Sequence, residues 1–331
     1  MSHLNIIFFN ITSETEKETG VKSWIDVHRN PNTKKSYDGA WKDYNSYTEL
    51  PQCPVEFADF LIKKFENGRA GSTINGYAAA IASKFRLSVL PSPTESPLAK
   101  EVLKIINALV PPPQERLPVT TIQLTTMFQS IDWNIPRDTR DYCMIIWCYK
   151  GALRESECTD IKSAKIQVIT TPDNYIQCQI DHNPTSSKKK GAPSGTRTKN
   201  KKDRTVLLPQ DLENIWKCPW TIFHTYLDTM EAQAPRSDSP EFVFYNLKNG
   251  NQLSKTHVNH ALQRLLKKIE MSHIGTYKTK SHDLRVRAAT KAQQEKFPLS
   301  LIKEHGGWKS NAVLRYIKHT TEERILIAKK I

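Results

Sequence analysis

No apolar run in this sequence approaches the roughly 20 residues that a membrane-spanning helix requires. The one early apolar stretch, Leu4-Asn5-Ile6-Ile7-Phe8-Phe9, is brief and has no basic segment before it, so it does not read as a signal peptide. The chain is therefore expected to act inside the cell. Its six cysteines, Cys53, Cys143, Cys148, Cys158, Cys178 and Cys218, form no C-x-x-C pair, which excludes the usual zinc-ligand spacing. Inside a cell they are expected to be reduced, and Cys143 and Cys148 sit in an apolar helical pattern as core residues. H-E-x-x-H and clustered carboxylates are also missing, which argues against a metal-dependent nuclease. No metal site and no cofactor are expected. There is no internal repeat. Acidic residues are in short supply, 34 against 48 Lys and Arg, for a net charge of +14.

That imbalance points to a polyanionic partner, nucleic acid before an acidic membrane. The expected DNA contacts are Lys34, Lys35, Arg69 and Lys84 in the first part, then Lys188, Lys189, Lys190, Arg197, Lys201, Lys202 and Arg204. The basic stretch at 188–204 also reads as a nuclear localisation signal, although phosphate contact accounts for the same charges. With 331 residues, 38% hydrophobic and 25% charged, the chain can bury two cores.

Residues 1–21 read as an arm. From 22 to 110 the pattern is helical. Tyr37, Trp41 and Tyr44 share one face, and Val55 to Phe65 is a second helix. A third carries Ile74, Tyr77, Ala78, Ile81 and Phe85, with Ser72 or Thr73 placed to cap it. Leu98 to Leu109 is the fourth. Pro111-Pro112-Pro113 breaks the chain, and 111–118 reads as a linker. The second domain, 119–331, opens with helices near 120–131 and 138–152. Lys165–Thr170 and Tyr175–Ile180 alternate with period two, and Arg204–Leu208 is a third strand. Helices are expected near 209–216, 220–233, 254–269, 282–295, 298–304, 310–319 and 321–330.

Cleaving a phosphodiester without metal requires a nucleophile, a base, cationic donors and an acid. Arg154, in Gly151-Ala152-Leu153-Arg154-Glu155-Ser156-Glu157, has the planar fork that matches phosphate oxygens. His282 and Arg285 are three apart and share a helix face. Ser281 is placed as an N-cap, which would set His282 at the positive end of the helix dipole, where a phosphate is favoured. Trp308, in Gly306-Gly307-Trp308, offers one N–H donor, and His305 competes with it for that place. Tyr316 has a phenol whose ordinary pKa is about 10, and arginine and histidine neighbours ease its ionisation. Each residue also has an ordinary use: Arg154 in a surface ion pair with Glu157, His282 and Trp308 in packing, Tyr316 in the core.

The order Arg, His-x-x-Arg, Trp, Tyr resembles the tyrosine recombinase (phage integrase) family. Arg154 lies in a setting like the family's Gly-Leu-Arg-x-x-Glu. His282-Asp283-Leu284-Arg285 followed by Ala288-Ala289-Thr290 is similar to its H-x-L-R-H-x-x-A-T box, with Val286 at the common second His. Gly306-Gly307-Trp308 resembles its Leu-Gly-His box, with Trp in the His place. The resemblance implies that Glu157 braces Arg154. It implies a general-acid lysine in a β-hairpin loop, matched by Lys199 in Arg197-Thr198-Lys199-Asn200-Lys201-Lys202-Asp203-Arg204, with Lys201 and Lys202 as alternatives.

The fold so implied is mainly α with a small antiparallel sheet: a helical core-binding domain and a tyrosine recombinase catalytic domain forming a clamp around DNA. The implied reaction is metal- and ATP-independent cleavage and rejoining through a 3′-phosphotyrosyl intermediate. The partner is double-stranded DNA, with four protomers on two sites and a monomer or weak dimer off DNA. It would act at DNA, in the nucleus if the host is eukaryotic. The Lys- and Asn-rich style and the Gly-Gly-Trp box are compatible with recombinases of eukaryotic mobile elements such as Crypton or DIRS types. A type IB topoisomerase, a telomere resolvase, or a domesticated DNA-binding protein without chemistry are the alternatives.

Overall fold

The computed structural model describes residues 29–111, 118–170, 173–180, 204–233, 240–274, 277–317 and Ile325. They fall into two compact units, one on either side of residues 112–117.

In the first unit, α1 (Pro31–Asn45), α2 (Pro54–Glu66), α3 (Gly71–Leu87) and α4 (Pro97–Leu109) pack as a small bundle. α1 lies against α3, and α2 against α4. Proline opens α1, α2 and α4, where its missing N–H costs nothing. The Asn30 and Ser96 side chains accept the N–H groups of Asn32 and Ala99. Ser72 and Thr73 do not cap α3. That helix already starts at Gly71, and the preceding Ala70 has no side-chain acceptor to offer. The core is aromatic: Tyr44 meets Phe57 and Phe60 edge-on at 5.6 and 5.0 Å, and Phe60 meets Tyr77 at 5.4 Å.

In the second unit, α5 (Thr121–Ser130) begins with a reciprocal capping box between Thr120 and Gln123. α6 (Pro136–Lys150) is buried on all sides from Asp138 to Tyr149. A helix so enclosed is the scaffold of its domain. α8 (Pro219–Gln233), α9 (His257–Lys268) and α10 (His282–Gln294) all pack on it. Trp147 lies in its last turn, 4.9 Å from Phe223 and 5.1 Å from Phe244. The polar end of α6 is satisfied internally. Arg140 and Asp141 pair with each other, and Arg264 and His257 reach them from α9. Burial pushes the Asp141 carboxyl up, but the His257 and Arg140 partners outweigh it and hold it down at about 2.

The antiparallel sheet has the order β1 (Ile166–Ile169), β2 (Tyr175–Ile180), β3 (Arg204–Pro209). Ile176 faces Leu208, Cys178 faces Val206 and Ile180 faces Arg204. Alternation turns Ile176, Cys178, Ile180, Val206 and Leu208 into the core, and Arg204 with them. All six cysteines are free thiols, and Cys143 and Cys148 are buried as expected.

Several elements depart from the sequence pattern. The segment near 209–216 is a 3-10 turn, Leu212–Lys217, broken at Asn214 because the Asp211 carboxylate draws in the Asn214 N–H. The helix near 310–319 is a 3-10 turn, Asn311–Arg315, that stops at Tyr316. The helix expected at 321–330 lies outside the described residues, Ile325 apart. A short helix α7 (Glu155–Thr159) and a two-residue hairpin of β4 (His273–Ile274) and β5 (Tyr277–Lys278) have no counterpart in the periodicity, being too short to show any. α11 (Leu299–Gly306) completes the unit.

Trp147→Ala should cost about 3–5 kcal/mol by cavity formation, whereas Trp147→Phe should cost much less. Urea unfolding followed by circular dichroism measures both. Near-equal stability of the two variants would mean that α6 is not the central strut.

Candidate functional site

The site is assembled where α6 ends. Gly151 closes α6, and Ala152 follows in the left-handed region at φ +46. Such a conformation is costly for a residue with a side chain and is tolerated where the surroundings fix it. Here it presents the Ala152 carbonyl to two guanidinium groups. Arg285 Nη1 donates to it, and Arg204 Nη2 lies 3.5 Å away.

Arg154 comes next and leads into α7. Glu157 folds back on it: Oε2 accepts the Arg154 backbone N–H at 2.9 Å, and Oε1 accepts the Arg154 guanidinium. The same carboxylate accepts Arg204 Nη2 at 3.1 Å and stands 3.9 Å from Arg285 Nη1. Glu157 thus braces Arg154, and it also gathers two more arginines. Burial drives its carboxyl up, but Arg204, Arg154 and Arg285 prevail and hold it at about 2.

The three arginines are not equivalent. The Arg154 side chain is 39% exposed, that of Arg204 9% and that of Arg285 1%. Arg285, on α10, also donates to the Gly306 carbonyl at 2.6 Å. Burial and the neighbouring Arg154 push it down to about 9, still charged at neutral pH. Three guanidinium groups around one carboxylate leave positive charge in a poorly solvated place, which favours an anion there.

Trp308 covers Arg285, with the guanidinium carbon 4.1 Å from the ring centroid. The two glycines before it are structurally required. A Cβ at Gly306 would overlap the indole, and Gly307 turns the chain at φ +66 against Arg204. The Trp308 indole N–H is buried and makes no hydrogen bond among the described residues. Tyr316 stands 5.8 Å from the Trp308 ring on one side, and the His282 ring meets it edge-on at 5.0 Å on the other. Thr290 on α10 donates to the Tyr316 carbonyl at 2.9 Å and fixes its backbone. Val313 and Ile317 are buried with Ala289, Ile302 and Trp308, which anchors the turn that carries the phenol.

His305 is used elsewhere. Its Nε2 pairs with the Lys150 carbonyl at 2.8 Å, its own carbonyl accepts Arg204, and burial holds its imidazole below the ordinary value. It is a strut between α6 and α11, and Trp308 occupies the position beside Arg285 and Tyr316. Ser281 stands at the N-cap position of α10, but its side chain does not cap the helix. It is helical itself, its hydroxyl donates to Glu155, and its N–H donates to Asn259 at 3.1 Å. The start of α10 is held by Asp283, whose carboxylate accepts the Lys280 N–H at 2.6 Å.

Residues 119–324 match the sequence profile of the phage integrase family. The chain belongs to that family. It is a tyrosine recombinase, mostly helical with one small three-stranded antiparallel sheet. Among solved structures, the Tn1549 transposon integrase in complex with circular intermediate DNA superposes with a TM-score of 0.59 at 15% identity. The match covers 91% of this chain and 94% of that one. XerH site-specific recombinase bound to palindromic difH substrate gives 0.57 at 18%, over 84% of this chain and 70% of that one. A lambda integrase dimer bound to a COC′ core site gives 0.54 at 14%, over 89% and 73%. At such identities the likeness is one of fold. No curated protein matches the sequence.

Two of the expected DNA contacts make bonds within the protein. Arg204 points inward from β3 and spends its donors on Glu157 and the carbonyls of Gly151 and His305, so it belongs to the bracing of the site. Lys84 is tied to Asp38 at 2.8 Å. Lys35 and Arg69 are exposed and Lys34 half-buried, all in the first unit. Lys199, Lys188, Lys189, Lys190, Arg197, Lys201 and Lys202 lie outside the described residues. Among the described residues no group of three or more His, Cys, Asp and Glu is placed to hold a metal, and no helix is long and apolar enough to cross a membrane.

The depressed Glu157 carboxyl makes a signed prediction. Its folded value lies below the ordinary 4.5, so its contribution is complete above that pH and is lost as pH falls toward about 2. The shift corresponds to roughly 3 kcal/mol. Glu157→Gln should lose that stability at neutral pH and show a shallower decline of unfolding free energy between about pH 5 and 2. Parallel acid profiles for the two proteins would remove Glu157 from the centre of the site.

Proposed function

We propose that this tyrosine recombinase is a site-specific DNA recombinase that cuts and rejoins duplex DNA through a covalent 3′ link to Tyr316. The observation that carries the reading is the unbroken run of contacts His282–Tyr316–Trp308–Arg285, continued through Glu157 to Arg154. A core tyrosine needs neither an imidazole edge against its ring nor a neighbouring indole that carries a stacked guanidinium. A tyrosine that attacks a phosphate needs a proton acceptor on one side and positive charge on the other.

In this mechanism Arg154 and Arg285 hold the non-bridging oxygens of the scissile phosphate. A guanidinium has five N–H donors, so the two carbonyl bonds of Arg285 leave donors for an oxygen. The unused Trp308 N–H is the third donor. His282 assists removal of the Tyr316 proton. The phenol oxygen bonds to phosphorus, the bond to the 5′ oxygen breaks, and Lys199 protonates that leaving oxygen. Reversal by a 5′ hydroxyl of a partner strand rejoins DNA. The phosphotyrosyl ester conserves the energy of the broken bond, so neither ATP nor metal is consumed.

Double-stranded DNA is the partner, a reading supported by the Tn1549 transposon integrase structure in complex with circular intermediate DNA. Exchange between two duplexes takes four protomers, with a monomer or weak dimer off DNA. The protein works at DNA inside the cell, in the nucleus if its host is eukaryotic.

Covalent capture tests this directly. With nicked duplexes from the ends of its own element, in EDTA, an SDS-resistant adduct should form and map to the Tyr316 peptide. Tyr316→Phe should bind the same DNA without forming it. Tight, salt-sensitive binding with no adduct would leave a DNA-binding protein without chemistry. Lys199→Ala should be rescued by a substrate with a 5′-sulfur leaving group, which needs no acid. Absence of rescue would pass the role to Lys201 or Lys202.

A further inference from the structure

Beside the Arg154 turn lies a cavity of about 280 Å³ whose walls come from three separate segments. Arg154, Glu155 and Ser156 form one wall and His282 another. Lys255 and Thr256, the residues just before α9, form the third. Arg154 and His282 belong to the set that handles the scissile phosphate in the mechanism above. Lys255 belongs to no motif and has no assigned role.

It differs from the ion-paired lysines of this unit. Lys150 pairs with Asp211, Lys162 with Glu241, Lys268 with Asp138 and Lys291 with Glu295. Lys255 is exposed and has no ion pair among the described residues. The one acid in the cavity wall, Glu155, makes no ion pair with it among the described residues: one carboxylate oxygen accepts the Ser281 hydroxyl and the other is buried. The first turn of α9 carries no acidic residue, and Thr256 makes no side-chain cap, so its hydroxyl and the positive helix end add to the same field. The cavity therefore has two cationic corners: Arg154, braced by Glu157, and Lys255, unbraced.

DNA presents its charges in series, one per strand every 3.4 Å or so of helix rise. A phosphate held at Arg154 and Arg285 beside His282 brings its neighbour on the same strand with it, one nucleotide away. We propose that Lys255 binds this neighbouring phosphodiester, assisted by the hydroxyls of Thr256 and Ser156. Lys255 is then a positioning residue. By gripping the adjacent phosphate it fixes the strand in register, so that Tyr316 meets one phosphate rather than the next. The assignment rests on the recombinase reading above and extends it to a phosphate that does not react.

The test uses the full-length protein and nicked duplexes carrying a neutral methylphosphonate on one side or the other of the scissile phosphate. Adduct formation at Tyr316 is followed in time. At one of the two flanking positions the neutral link should slow the wild-type protein by about ten-fold or more, the value of one charge-assisted bond. Lys255→Gln should slow cleavage of unmodified DNA by a similar factor and be almost indifferent to the neutral link there. Lys255→Arg should restore most of the rate. The slope of log affinity against log salt should fall by about one for Lys255→Gln.

Wild-type cleavage of unmodified DNA by Lys255→Gln would overturn the proposal. So would a full additional loss on both methylphosphonates, because the contact would then lie elsewhere. If the wild-type protein forms no adduct on unmodified DNA, the recombinase reading falls instead. Equilibrium binding to the same duplexes then decides Lys255 by the salt slope and the neutral-link effect.

Discussion

One buried carboxylate, shared by Arg154, Arg204 and Arg285, is the interaction on which this site depends. Glu157 comes from a five-residue helix, Arg204 from a strand and Arg285 from a long helix, so a single acid ties three elements to the end of α6. Burying ions is expensive, and removing one partner of such a set is more expensive than never having built it. Without Glu157, Arg204 and Arg285 would face each other as like charges in a poorly solvated place. With it, the cluster remains net positive and holds its charge ready for an anion. The same balance explains why the carboxyl stays ionised despite burial.

Around this hub the backbone supplies oxygen acceptors that side chains do not. The carbonyls of Ala152, Gly306 and His305 receive donors from Arg285 and Arg204. Two unusual conformations make that possible, Ala152 at φ +46 and Gly307 at φ +66. Both sit where a chain turns abruptly after a helix, and both are held by packing against elements distant in sequence. α6 provides the rigid support: it is enclosed by other helices and locked at its polar end by Asp141, Arg140, Arg264 and His257.

The tyrosine is presented differently. Its turn is a 3-10 segment rather than a full helix, anchored by Val313, Ile317 and the Thr290 bond to its carbonyl. Its phenol is held at the backbone and half-exposed.

Much of this was legible in the residues alone. The helical first unit, the three strands and the buried Cys143 and Cys148 follow from periodicity and composition, which are local properties of the chain, whereas Arg154, His282, Arg285, Trp308 and Tyr316 were singled out by their resemblance to the tyrosine recombinase motifs. Contacts between residues more than a hundred positions apart have no local signature. Ser281 looked like a cap and instead binds Glu155, while Asp283 holds the helix start. Arg204 stood in a basic run, and strand register turned it inward to Glu157. His305 competed with Trp308 until its bond to the Lys150 carbonyl occupied it. Lys255 had no motif at all and gained meaning only from the wall opposite. Sequence chose the chemical groups, because residue type and spacing carry donors, charges and nucleophiles. Tertiary structure decided which of them share a charge, because a buried ion's partner is settled by packing and not by neighbours along the chain.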